Sequence, residues 1–226
     1  MRTIVTAIAA VLIPAAALAA PITVHNTGVN ASNVLVAAGI QTSFWQLLSA
    51  PAGATEAVGS NPFAYFNGAY AANTATSQWV SPGSNGNASA GGFQGGNFVY
   101  VYQLLVDLTG LDHTSAAITG LFATDNTGFI RVNGGANVAT SSYAGFGSLT
   151  PFTLNSGFVA GLNSIQVGVN NEGNPTAFHV QFSSAAANTI TQPPPTSVPE
   201  PTSLALLGAG LIAAGAWRQR RSNKTA

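Results

Sequence analysis

Leu162-Asn163-Ser164-Ile165-Gln166-Val167-Gly168-Val169 is the stretch on which the fold turns. Ile165, Val167 and Val169 occupy alternate positions with Ser164, Gln166 and Gly168 between them. That period of two puts apolar side chains on one strand face and polar or small ones on the other. The following Asn170-Asn171-Glu172-Gly173-Asn174-Pro175 is turn chemistry. Beyond it Phe178, Val180 and Phe182 alternate with Ala177, His179 and Gln181, so the two runs read as an antiparallel hairpin with a longer loop.

Phe98 to Leu108 is apolar at nearly every residue, as expected of a central strand covered on both faces. Ile118 to Ala123 and Phe129 to Val132 flank Thr124-Asp125-Asn126-Thr127-Gly128, a turn in which Asn126 and Gly128 tolerate positive φ. Asn133-Gly134-Gly135 ends the second of these strands. Only Val34 to Leu48 leaves helix and strand open. The expected class is all-β, a two-sheet sandwich in preference to a barrel. Ala50 to Asn97, rich in Ala, Gly, Asn and Ser, is long for a plain loop. It reads as a lid over one sheet or a functional loop carrying Tyr65, Phe66, Tyr70 and Trp79.

Formal net charge is zero, yet from Ala20 to Ser203 the only cation is Arg131, against six acids, for a net −5. A body almost without Lys and Arg cannot neutralise phosphates, which argues against nucleic acid as a partner. There is no cysteine, so disulfides and thiolate metal sites are excluded and stability must come from burial.

The two ends differ from the body. Arg2 precedes the apolar run Ile4 to Ala20, which closes on Ala17-Leu18-Ala19, the small-x-small pattern of a signal peptidase site; cleavage is expected after Ala19. At the other end stand Pro199-Glu200-Pro201 and the run Leu204 to Trp217, with Leu204, Leu206, Leu207, Leu211 and Ile212 along it. Arg218, Arg220, Arg221 and Lys224 follow. As a helix the run would rise about 1.5 Å per residue, roughly 21 Å in all, against the ~30 Å of a bilayer core. The cations after Trp217 would stay on the cytoplasmic side, with the body outside. A short transmembrane helix of this kind suits temporary residence; a retained anchor is the alternative.

Pro199-Glu200-Pro201, a hydrophobic helix and terminal arginines together resemble the PEP-CTERM sorting signal of Gram-negative bacteria. The resemblance implies inner-membrane insertion, processing by an exosortase, and release to the cell surface or extracellular matrix. The expected organisation is a signal peptide at 1–19, a sandwich domain at 20–184, a Pro/Thr-rich linker at 185–197 and a sorting tail at 198–226.

The body also resembles the galactose-binding-like jelly-roll domains of exported bacterial proteins. The segments that carry the likeness are Trp45 to Gly53, Ser77 to Pro82, Tyr102 to Leu111, Ala123 to Gly134 and Phe152 to Phe158. That fold hosts sugar binders, adhesive modules and structural units alike.

Groups for catalysis are sparse. There is no Gly-x-Ser-x-Gly elbow and no His-Glu-x-x-His pattern. Asp112-His113 reads as a solvated pair, and His179, opposite Phe178 and Val180, as exposed or in contact with ligand. Asp125 with Asn126 is a weak Ca²⁺ candidate, better read as an Asx-type turn. Trp79 and Tyr143, placed on loops, are the candidate ligand contacts: an aromatic platform for sugar C–H faces, with Asn and Gln supplying hydrogen bonds. The expected protein is therefore a non-enzymatic surface or biofilm-matrix module without a cofactor. It would bind extracellular polysaccharide or adhere, with self-associating structural and glycosidase roles as rivals.

Overall fold

The computed structural model describes residues 18–93, 95–190 and Trp217. The chain divides into two units, Met1–Ile190 and Thr191–Ala226. All the strands described lie in the first, where eleven of them build two antiparallel sheets. In chain order they are β1 (Ala19–Pro21), β2 (Trp45–Ser49), β3 (Phe63–Ala64), β4 (Val80–Ser81), β5 (Val99–Asp107), β6 (Ala117–Asp125), β7 (Gly128–Val132), β8 (Ala139–Ser141), β9 (Thr150–Leu154), β10 (Leu162–Asn170) and β11 (Ala177–Asn188).

The first sheet runs β3-β4-β11-β6-β9, with β1 on the same edge of β11 as β4; the second runs β2-β5-β10-β7-β8. Alternation explains what lies between them. Tyr100, Tyr102, Leu104 and Val106 of β5, Ile130 and Val132 of β7, and Ile165, Val167 and Val169 of β10 face Ile118 and Phe122 of β6 and Phe178 and Val180 of β11. Trp45 is fully buried and donates its indole N–H to the His25 carbonyl at 3.0 Å. Each large apolar side chain removed from water in this way contributes about 1.5–3 kcal/mol, and with no cysteine in the chain this burial does the work of cross-links.

Several expectations need correction. The β10 and β11 runs do not form a hairpin: β10 pairs with β5 and β7, β11 with β6 and β4. Both turn apolar faces to one core, but from opposite sides of it. Alternation reports which face is buried and is silent on the sheet to which a strand belongs. The segment after Asn170 crosses between the layers, tied down by Asn171 N–H to the Phe98 carbonyl at 3.1 Å and Glu172 N–H to Asn126 Oδ1 at 2.9 Å. The Thr124–Gly128 turn is likewise a crossing, from β6 in one sheet to β7 in the other. Neither Asn126 nor Gly128 takes a positive φ; Asn133 at 50° and Gly134 at 73° do.

The strand expected to be central, β5, lies between β2 and β10, and β10 occupies the middle. One face of β5 is open, with Leu105 46% exposed. Val34 to Leu48 yields only β2 and no helix. β11 continues to Asn188, past the expected domain end at Ser184. Its last residues are small and carry little apolar signal, but Ala185 and Ala186 pair with Ile118 and Ala117. The expected cleavage point after Ala19 falls within β1, where Ala20 and Pro21 pair with Ala187 and Ala186. No helix among the described residues is long and apolar enough to cross a membrane. The expected terminal helices and the sorting motif lie outside the described residues, Trp217 excepted.

Candidate functional site

The outer face of the first sheet is not open to solvent over β11 and β6. Ala123, Ala177 and His179 point outward there, and the segment between β3 and β4 folds down on them, bringing Tyr70 and Trp79 into a second small apolar cluster with Tyr65, Phe146 and Leu149 at its margin. Of the long Ala-, Gly- and Asn-rich segment, only the part between β3 and β4 covers this sheet; Phe63–Ala64 and Val80–Ser81 are strands of it, and Ala88 and Ala90 lie in the main core. The anchor of the covering part is Trp79, fully buried, whose indole N–H donates to the Ala71 carbonyl at 2.8 Å.

That placement overturns two sequence expectations. Trp79 presents no face to a ligand, because its ring is packed 4.4 Å from Tyr70 and 5.5 Å from His179. His179 does lie opposite Phe178 and Val180, but it is neither exposed nor a ligand contact. It is fully buried, with Nε2 2.8 Å from Ser77 Oγ, and Nδ1 has no hydrogen-bond partner among the described residues. Burial lowers its pKa to about 4, so the ring is neutral at ordinary pH. The alternation was legible; the loop descending on that face was not.

Beside this cluster is a cleft of about 310 Å³ at one end of the sandwich. Its lining comes from four segments: Asn67 and Tyr70 from the covering loop, Asp125 and Asn126 from the β6–β7 crossing, Tyr143 and Phe146 from the β8–β9 connection, and Asn174 and Pro175 from the β10–β11 crossing. Tyr143 is 40% exposed. The covering loop and the β8–β9 connection are joined by Ala71 N–H to the Phe146 carbonyl at 2.7 Å. The structure thus brings two candidates, Tyr143 and Asp125, into one cleft and separates Trp79 from it.

Asp125 is buried. Its Oδ2 accepts from the Tyr70 hydroxyl at 2.7 Å, and its main-chain carbonyl accepts from Thr176 Oγ1 at 2.6 Å. Burial raises its carboxyl pKa to about 6, against the lowering effect of the Tyr70 bond. The Tyr70 hydroxyl is pushed up in turn, by burial first and then by Asp125. A Ca²⁺ ligand set needs several hard oxygens and ionised carboxylates. Among the described residues no group of three or more His, Cys, Asp or Glu side chains converges, and the desolvated Asp125 holds a proton unusually well. The acid is engaged inward by the Tyr70 hydroxyl, and among the described residues its side chain makes none of the main-chain bonds of an Asx turn. Asp112 is a local cap, its Oδ1 accepting from Thr114 N–H at 3.0 Å beside an exposed turn.

Asn67, Phe146 and Asn174 were missed in the sequence. Nothing local marks them, since each becomes a lining residue only where two loops meet.

The tail is identified by comparison. The family model of the PEP-CTERM protein-sorting motif matches residues 197–221, which contain Pro199-Glu200-Pro201, the apolar run and Arg218, Arg220 and Arg221. No curated protein and no solved structure matches the chain. The motif supports sorting by an exosortase system, with the exosortase as processing partner, and implies export to a surface or extracellular destination.

Proposed function

We propose that the protein is a cell-surface or extracellular-matrix component whose body is a non-catalytic carbohydrate-binding module of galactose-binding-like jelly-roll type. The jelly-roll reading is supported by the way successive strands change sheets, as β5, β6 and β7 do and again β9, β10 and β11. The observation that carries the binding reading is the cleft that the half-exposed Tyr143 lines together with Asn67, Asn126 and Asn174. An aromatic face packs on sugar C–H groups while amides exchange hydrogen bonds with hydroxyls, without any charge. A net −5 on the exported portion with a single cation suits a neutral ligand better than a phosphorylated one. The membrane-inserted precursor belongs to the same proposal and rests on the apolar run before Arg218.

The test is a screen of the exported protein against neutral glycans, repeated with Tyr143→Ala. Binding that falls at least tenfold in the variant, at unchanged unfolding temperature, is the expected result. Absence of neutral-glycan binding, with self-association retained, would instead mark a structural matrix protein.

A further inference from the structure

A second surface, built on other residues than the Tyr143 cleft, surrounds the only cation of the exported portion. β7 sends Ile130 and Val132 into the core, so Phe129 and Arg131 stand on the outer face of the second sheet. Strand register sets Arg131 opposite Gln166, Gln166 opposite Gln103 and Gln103 opposite Gln46, a polar row across four strands. One position along, Phe129 lies opposite Gly168, where any Cβ would overlap the Phe129 ring. The glycine lets that ring lie against the backbone.

Arg131 is held in place by these neighbours. Its guanidinium carbon sits 4.7 Å from the Phe129 ring centroid, and its Nε donates to Gln166 Oε1 at 2.9 Å. Gln166 is only 6% exposed and is itself oriented by donating from Nε2 to Ser164 Oγ at 3.1 Å. Stacking and the Nε bond fix the guanidinium plane. The Nη groups form no ion pair with a carboxylate among the described residues, although five acids lie in the same domain.

Next to the Phe129 ring is a cleft of about 270 Å³, lined in part by Thr127, Asn137, Thr140, Ser141 and Asn170. Thr140, opposite Phe129 in the register, is exposed and presents its hydroxyl on this outer face, whereas Ser141, opposite Gly128, turns its buried Oγ to the other side. At the far end Thr127 donates to Glu172 Oε1, and the Gly95 N–H donates to Oε2 at 2.7 Å. These bonds, that of Thr127 foremost, hold the Glu172 carboxyl below its usual range. The surface is therefore polarised, with an ionised acid by Thr127 and a preorganised cation four residues along β7, roughly 13 Å away at ~3.3 Å per residue.

We propose that this face binds an acidic polysaccharide, with a uronate carboxylate on the Nη fork of Arg131 and the adjoining sugar in the cleft beside Thr140. A planar guanidinium already oriented by stacking matches a carboxylate in bidentate fashion. Hydroxyl and amide groups in the cleft match sugar hydroxyls, and Glu172 sets the direction by repelling a carboxylate at its own end. The net −5 does not forbid this, since charges more than about 8 Å apart are largely screened at physiological ionic strength. Asp107, the acid on the same face of β5, is four residues beyond Gln103, again roughly 13 Å.

The experiment compares oligogalacturonate with its methyl ester, the same backbone without the charge, by calorimetric titration of the exported protein. The acid should bind at least tenfold more tightly than the ester. Arg131→Gln should bring the acid down to the level of the ester at unchanged unfolding temperature, and Arg131→Lys should recover only part of the difference because it loses the fork. Equal affinity for acid and ester, no binding of either, or full binding by Arg131→Gln would each overturn the proposal. Tyr143→Ala should leave uronate binding intact, so this proposal and the neutral-glycan reading of the other cleft fail separately.

Discussion

Tyr70 donates its hydroxyl hydrogen to Asp125 Oδ2 at 2.7 Å, joining the loop that covers the first sheet to the crossing that leaves it. The bond holds the loop over the cleft wall while Asp125 spends its burial on a group that is costly to ionise there. The cleft is thus shaped by a carboxyl whose charge works against the fold.

Asp125→Asn should stabilise the protein at pH 7.5 and do little at pH 4. The folded-state pKa of about 6 lies above the ordinary carboxylate value of 3.8. Between those values the folded protein holds a proton that the unfolded chain has lost, so stability falls as pH rises through that window and then levels. The shift corresponds to no more than about 2 kcal/mol once partial solvation is allowed for. Asn keeps an acceptor for Tyr70 without the charge. Thermal unfolding at both pH values checks this, and an equal gain at each would sink it.

His179 should act in the opposite direction. Its pKa is lowered by burial from 6.5 to about 4, so the unfolded chain takes up a proton before the folded one does as pH falls. Stability present above pH 6.5 should decline toward pH 4 by about 3 kcal/mol. Because Asp125 gains over an overlapping range, wild-type unfolding is a flattened sum of the two. The clean measurement is denaturant unfolding at pH 7 and pH 4 in the Asp125→Asn background, with and without His179→Gln. If the glutamine variant keeps the same acid sensitivity, His179 is not its source.

What could be read from the sequence follows from what periodicity encodes. Ile165, Val167, Phe178 and Val180 announced strands and their buried faces, and all four are core residues. Their assignment to opposite sheets was hidden, because a turn-rich segment such as Asn170 to Pro175 serves a hairpin and a crossing equally well. Trp79 and Tyr143 looked alike as loop aromatics, but one is fully buried and the other 40% exposed. The difference is made by tertiary contacts, Trp79 to Tyr70 and His179, that no local pattern foretells. Arg131 left a trace, a lone cation in an acidic body at an outward strand position. Its support by Phe129 and Gly168 needed the register.

Gly168→Ala should weaken both the fold and the outer face of the second sheet. The new methyl would meet the Phe129 ring, which must then lift from the strand and take the Arg131 guanidinium with it. Overpacking of this kind costs about 1–3 kcal/mol. The double variant Gly168→Ala with Phe129→Leu should recover much of the loss, a coupling readable in a double-mutant cycle. Additive effects would show that the ring and the glycine are independent.

The tail gives the prediction closest to biology. The PEP-CTERM motif at residues 197–221 implies that an exosortase acts on the chain. The apolar run Leu204 to Trp217 has fewer residues than the about 20 that a stable membrane span wants. Mature protein recovered outside the cell should accordingly lack the peptides from Trp217 to Ala226. Replacing Pro199, Glu200 and Pro201 with alanine leaves the apolar run and the arginines in place, so the proposed insertion should survive while recognition at the motif is lost. That variant should accumulate in the membrane fraction at full precursor length. Mass spectrometry of both fractions separates the outcomes, and an intact C-terminal peptide on the exported wild-type protein would show that the tail is not removed.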